Sequence, residues 1–242
     1  MRKQSLRKQM LRMFDHEFNE DRSNADDKAF SAEDELFLDL MKESAKKVDG
    51  HYQLPLPWKD TGIRLPFNRS MALKRLHSLK RKLERNASLF ALYQNSMDAL
   101  LRDGYARKIP DGDEAKAQRT WYVPHHSCNA AGKFRVVHGC AAVFGGTSLN
   151  ENLLQVSDLT NTLLGVLLRF RQGKVAFTGD IKSMFFQVNV DPRDCDSLRF
   201  LWWPSDDLSK PAADYQMLVH NFWCDVFPSL CELCLEESLT TT

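Results

Sequence analysis

Two groups of residues in this chain have types and spacings that chemistry can use. His220, Cys224, Cys231 and Cys234 set a Cys-x-x-Cys pair beside a third thiol and an imidazole, a donor set suited to tetrahedral zinc. One such pair without a second spaced pair is a modest signal. The other group is cationic. In the stretch NRSMALKRLHSLKRKLERN, Leu73, Leu76, Leu79 and Leu83 recur at helical spacing, and Lys74, Arg75, Arg81, Lys82 and Arg85 occupy the remaining surface. Such a face can displace counterions from a phosphate backbone, or be ordinary solvated surface, and the sequence leaves both readings open. Read alone, Asp180 is a helix or turn cap after an apolar strand, Phe185 is core, and Arg135 is a solvated strand residue. Tyr122, His125 and His126 could stack or touch a backbone, but adjacent strand histidines carry no assigned role.

The elements that must position these groups follow from composition and pattern. The chain has 242 residues, is 43% hydrophobic and carries a net charge of +1, so it can bury a core and offers no global attraction for nucleic acid. Its six cysteines lack a disulfide-scaffold rhythm and read as reduced intracellular thiols. No apolar run approaches the roughly 20 residues of a membrane helix. The opening MRKQSLRKQMLRMF reads as a basic surface helix at the start of a cut reading frame, with a mitochondrial presequence as the alternative.

Ser31 and Asp34 form a capping box ahead of Phe37, Leu40, Met41, Ala45 and Val48, with Gly50 as the expected stop. Tyr52, Leu54, Leu56 and Trp58 alternate as an extended segment that Pro55 and Pro57 should push to an edge or arm. A helix from Asn68 and another from Ser88 to about Arg102 predict a hairpin. The second should bury Leu89, Leu92, Tyr93, Met97, Leu100 and Leu101 and close at Gly104. Beyond Tyr105 come the β-rich runs YARKI, TWYVPHH, KFRVVH, KVAFTGD, LRFLWW and YQMLV, with one helix capped by Asp158 among them. The fold class predicted is α+β, a helical N-terminal part followed by a mixed or antiparallel sheet.

Several stretches together resemble the polymerase region of Bel/Pao-type retrotransposons: GHYQLPLPWKD, WYVPHHS, GKFRVV, GGTSLNENLLQ, DLTNTLLGVLLRFRQ, DIKSMFFQV, LRFLWWP and YQMLVH, with the basic helix. The likeness runs from about Phe14 to about Phe222. It implies an incomplete fingers-and-palm reverse transcriptase fold, divided into a helical region over 1–104, partial fingers and palm over 105–222, and a divergent tail over 223–242. It also implies two-metal nucleotidyl transfer with Mg2+ or Mn2+, an RNA or DNA template–primer, and deoxynucleoside triphosphates. Asp180 falls where the family keeps its first metal ligand and Phe185 where it keeps an aromatic under the sugar. Arg135 falls where it keeps the fingers arginine for the triphosphate. The basic helix, with Lys74, Arg75, Arg81 and Lys82, becomes the nucleic-acid contact. His138 and Gly139 replace the family's Phe-Asp pair, which weakens the expected nucleotide pocket.

The family's catalytic hairpin carries an aromatic-x-Asp-Asp pattern. Asp206-Asp207 sits instead in the proline-flanked loop WWPSDDLSKP without the aromatic, and is rejected as that site. After Phe222 the likeness fades. Leu230 to Leu233 read Leu-Cys-Glu-Leu, which is what codons for Cys-Ala-Asn yield one nucleotide out of frame, so the tail reads as frameshifted. The expectation is therefore a truncated, intracellular, cytoplasmic RNA-directed DNA polymerase fragment, inactive alone. The alternative is a non-enzymatic nucleic-acid-binding module.

Overall fold

Ser31 starts the first described helix as its sequence demands. In this computed structural model, which describes residues 31–110, 112, 119–130, 133–154, 167, 168, 170–172, 174, 175 and 182–220, its hydroxyl accepts from the Asp34 N–H at 3.1 Å. The Asp34 carboxylate in turn accepts from the Ser31 N–H at 2.9 Å, completing the capping box of α1 (Ala32–Ser44). Phe37 and Met41 are fully buried. The helix stops at Ala45, earlier than Gly50, because Val48 belongs to a strand. β1 (Lys46–Val48) and β2 (His51–Leu54) pair with Val48 opposite His51. Asp49 and Gly50 form the two-residue turn between them, at φ 51° and 83°. An Asp-Gly pair tolerates two consecutive positive φ values, so Gly50 closes a hairpin rather than a helix.

α2 (Arg69–Arg85) and α3 (Ala87–Arg102) share Asn86, whose side chain accepts from the Leu89 N–H at 2.9 Å. α3 ends in a Schellman closure. Gly104 adopts φ 75°, Tyr105 N–H donates to Leu100 O at 2.9 Å and Gly104 N–H to Leu101 O at 3.3 Å. Tyr93, Met97 and Leu100 are buried, but Leu92 is exposed: the apolar stripe is narrower than the pattern suggested.

The remaining strands are β3 (Ala106–Lys108), β4 (His125–Ala130), β5 (Lys133–His138), β6 (Val188–Val190), β7 (Arg199–Trp202) and β8 (Ala213–Met217). β8 is the hub. It pairs antiparallel with β3 on one side and β7 on the other. Just past its end, Val190 N–H donates to Leu218 O and His220 N–H to Val188 O, both at 2.9 Å, which ties β6 to the same strand. β6 runs parallel to β2, so β2 lies in the middle of a mixed three-stranded sheet, not at an edge. Its prolines escape conflict because they follow Leu54, where the strand has ended. β4 and β5 form a separate hairpin. Of the helix expected after Asp158, only positions near Leu167 and Phe170 are described, and of the KVAFTGD run only Lys174 and Val175. The architecture is α+β.

One buried carboxylate holds the N-terminal arm to this sheet. Asp194 accepts from the Leu56 N–H and the Trp58 indole N–H, each at 2.9 Å, and Arg119 lies 3.6 Å away. Burial raises its pKa against the lowering effect of Trp58, Leu56 and Arg119. Asp194→Ala orphans two buried donors and should cost about 3 kcal/mol in urea denaturation. A loss under about 1 kcal/mol would show that water replaces the carboxylate.

Candidate nucleic-acid interface

α2 buries Ala72, Leu76, Leu79 and Leu83 and turns its cations outward. Lys74, Arg75, Arg81 and Lys82 are all exposed. At 100° per residue, Lys74 and Arg81 align opposite the buried face, and Arg75 and Lys82 align beside them, each pair about 10.5 Å apart along the axis. Among the described residues none of the four has a carboxylate partner. The ion pairs of this helix among those residues are Arg69–Asp214 at its start, at 2.8 Å, and Lys80–Glu84 at 3.7 Å, on the other flank. Arg81 donates to Ser78 Oγ at 3.2 Å.

The start of this helix is clamped. Asn68, expected as a helix-starting residue, makes no side-chain cap bond. Its amide instead donates to Tyr122 O at 2.8 Å and accepts from Tyr122 N–H at 2.7 Å, imitating a strand pairing. Next to it Arg69 donates to Asp214 at 2.8 Å, and the Tyr122 hydroxyl donates to the same carboxylate at 2.5 Å. The Asp214 hydrogen bond is the main cause of a raised Arg69 pKa, while burial leads in raising that of Tyr122. Asn68, Tyr122 and Asp214 escape sequence reasoning because their pairings span 54 to 145 residues. The cationic face is thus mounted on a fixed helix.

Arg135 lies elsewhere. It is exposed on β5, opposite Cys128. Its neighbour Phe134 packs edge-on against Tyr93 of α3, so strand alternation turns Arg135 away from α3. His138 is buried at the end of β5, and Gly139 N–H donates to Pro124 O at 2.7 Å. Phe185 has its main chain in the 3-10 turn Met184–Gln187, after Ser183 at φ 52°. Asp180, the expected metal ligand, lies outside the described residues, as do Cys224, Cys231 and Cys234. His220 is buried, and its Nε2 donates to Leu54 O at 3.1 Å. Among the described residues no group of three or more His, Cys, Asp or Glu side chains is assembled for a metal.

Asp206 and Asp207 have other partners. Asp206 accepts from the Trp202 indole N–H at 2.7 Å and from Gln94 at 3.1 Å. Asp207 accepts from Ser209 N–H at 3.0 Å and faces Lys210 at 3.5 Å. No described helix is long and apolar enough to cross a membrane. No protein-family model matches this chain, and no curated protein matches it either. A functional reading therefore rests on the residues and their placement.

Proposed function

We propose that this chain is the fingers and opening palm of a Bel/Pao-type retrotransposon reverse transcriptase, and that it grips the phosphates of a template–primer through α2 without polymerising on its own. The observation that carries the binding half is the set of four exposed cations on a clamped helix, without carboxylate partners among the described residues. The ordered motifs of the sequence support the family half. In that reading Asp180 holds one side of a divalent metal pair, whose chemistry is to activate the 3′-hydroxyl and neutralise the leaving pyrophosphate. Arg135 meets the triphosphate, and Phe185 selects the deoxy sugar. Two metals about 3.5–4 Å apart need several carboxylates between them, and these 242 residues contain no aromatic-x-Asp-Asp pattern.

A second reading, a non-enzymatic nucleic-acid-binding module, is favoured by one feature. The cationic face of α2 is complete as it stands and can meet phosphates with no metal of its own. Both readings share the binding surface and differ over Asp180. Primer extension on an RNA template with magnesium or manganese, comparing the intact chain with Asp180→Asn, tests the point. Equal silence from both proteins, with the template–primer still bound, is expected. Extension that disappears in the Asn variant would overturn the claim of inactivity, because groups that act as a unit leave little when one is lost.

A further inference from the structure

The β4–β5 hairpin is attached to the rest of the described fold by very few polar bonds. No ladder among the described residues joins β4 or β5 to β7; the backbone ties to β7 lie just ahead of the hairpin, where Val123 N–H donates to Arg199 O and Arg199 N–H to Trp121 O. Among the described residues, the hydrogen bonds from its two strands to other elements run through one ring, that of His125. Its Nε2 lies 2.9 Å from Leu201 O, a pure acceptor, so Nε2 carries the proton. Nδ1 is then a lone pair and accepts from the Tyr93 hydroxyl at 2.7 Å. His138 stands opposite His125 in the strand register, their ring centroids 5.6 Å apart. It packs on Phe200 at 5.3 Å, and its buried Nε2 has no partner.

Among the described residues only the Leu201 carbonyl favours a charge on this pair, and burial outweighs it. α2 offers Ala72 and Leu76, and α3 offers the Tyr93 hydroxyl. β7 offers the rings of Phe200 and Trp202 with the Leu201 carbonyl, and β4 offers His126, itself titratable. Among the described residues no carboxylate acts on either ring. A proton on His125 Nδ1 would also force the Tyr93 hydroxyl to turn round and leave its own hydrogen unmatched in a buried site.

We infer that the His125–His138 pair makes the β4–β5 hairpin an acid-labile flap, which lets go of α3 and β7 on taking up protons while β8 and its neighbours hold. Burial first, and then in His138 the neighbouring His125, lowers the two pKa values from 6.5 to about 4 for His125 and about 3 for His138. The released flap titrates near the ordinary value and so binds more protons than the docked one. Docking is at full strength above about pH 6.5 and weakens as pH falls toward 4. His220, lowered to about 4 by burial, adds a single such proton on the β2 side.

Hydrogen exchange followed by mass spectrometry, corrected for intrinsic rates, separates the two regions. Between pH 6.5 and 5 the protection of 125–138 should fall up to about a hundredfold per pH unit, two protons' worth, and that of 213–220 no more than about tenfold. His138→Phe keeps a ring against Phe200 and removes one proton, so the fall at the hairpin should shrink to about tenfold per unit. Equal loss in both regions of the wild-type protein would mean global unfolding and would overturn the inference. So would a hairpin indifferent to pH, or a pH dependence unchanged in the folded His138→Phe variant.

Discussion

Tyr93→Ala should lower the melting temperature by roughly 10 °C or more, the largest fall of any single replacement proposed for this protein. The ring is fully buried on α3 and lies flat on Trp202, with centroids 5.3 Å apart and planes at 14°. It also meets Phe134 edge-on at 5.9 Å, so one side chain joins α3, β5 and β7. Truncating a buried aromatic to alanine costs about 3–5 kcal/mol through lost burial and the cavity left behind. The hydroxyl adds a second term, because its bond to His125 Nδ1 has no substitute in the core. Burial raises the pKa of that hydroxyl, so it remains a donor throughout the working pH range. Tyr93→Phe isolates this term: the stack survives, one acceptor is orphaned, and the loss should be about 1–2 kcal/mol. Thermal unfolding of both variants checks the split. An alanine variant within about 1 kcal/mol of wild type would mean that α3 does not anchor the hairpin.

What could be read beforehand divides by sequence separation. The Ser31–Asp34 capping box, the leucine stripe of α2 and the span of β5 are local signals, and the structure carries them as read. The Asp49-Gly50 turn was equally local, but its hairpin partner Val48 completed an apolar helical spacing, and the wrong period won. The central place of β2 was hidden because its parallel partner β6 lies more than 130 residues along the chain. By sequence Asn68 is only the start of a helix, because nothing near it announces Tyr122. At the candidate site, the exposure of Lys74, Arg75, Arg81 and Lys82 followed from helical geometry. The clamp that fixes their helix depends on Asp214, which no local pattern connects to it. By sequence His138 is only a departure from the Phe that the retrotransposon resemblance implies; its burial against His125 needs the pairing of β4 with β5.

The basic face of α2 should dominate the affinity of this protein for duplex nucleic acid. Each cation that neutralises a phosphate adds about 0.9 to the steepness of log affinity against log salt on a B-form duplex. Removing four such contacts should flatten that slope by about 3.6, and between 50 and 200 mM salt the wild-type protein should lose roughly a hundredfold more affinity than the variant. Sequence preference should be slight, since lysine and arginine rows on a helix surface contact phosphates rather than base edges. The replaced residues lie outside the core and make no ion pairs among the described residues, so the fold should survive their loss. The measurement is the equilibrium affinity of the wild-type chain and of the Lys74→Ala, Arg75→Ala, Arg81→Ala, Lys82→Ala variant for one labelled duplex across a salt series. A steep wild-type slope that flattens in the variant is the expected result. Identical slopes, or no salt-dependent binding by the wild-type chain, would contradict the nucleic-acid reading of α2.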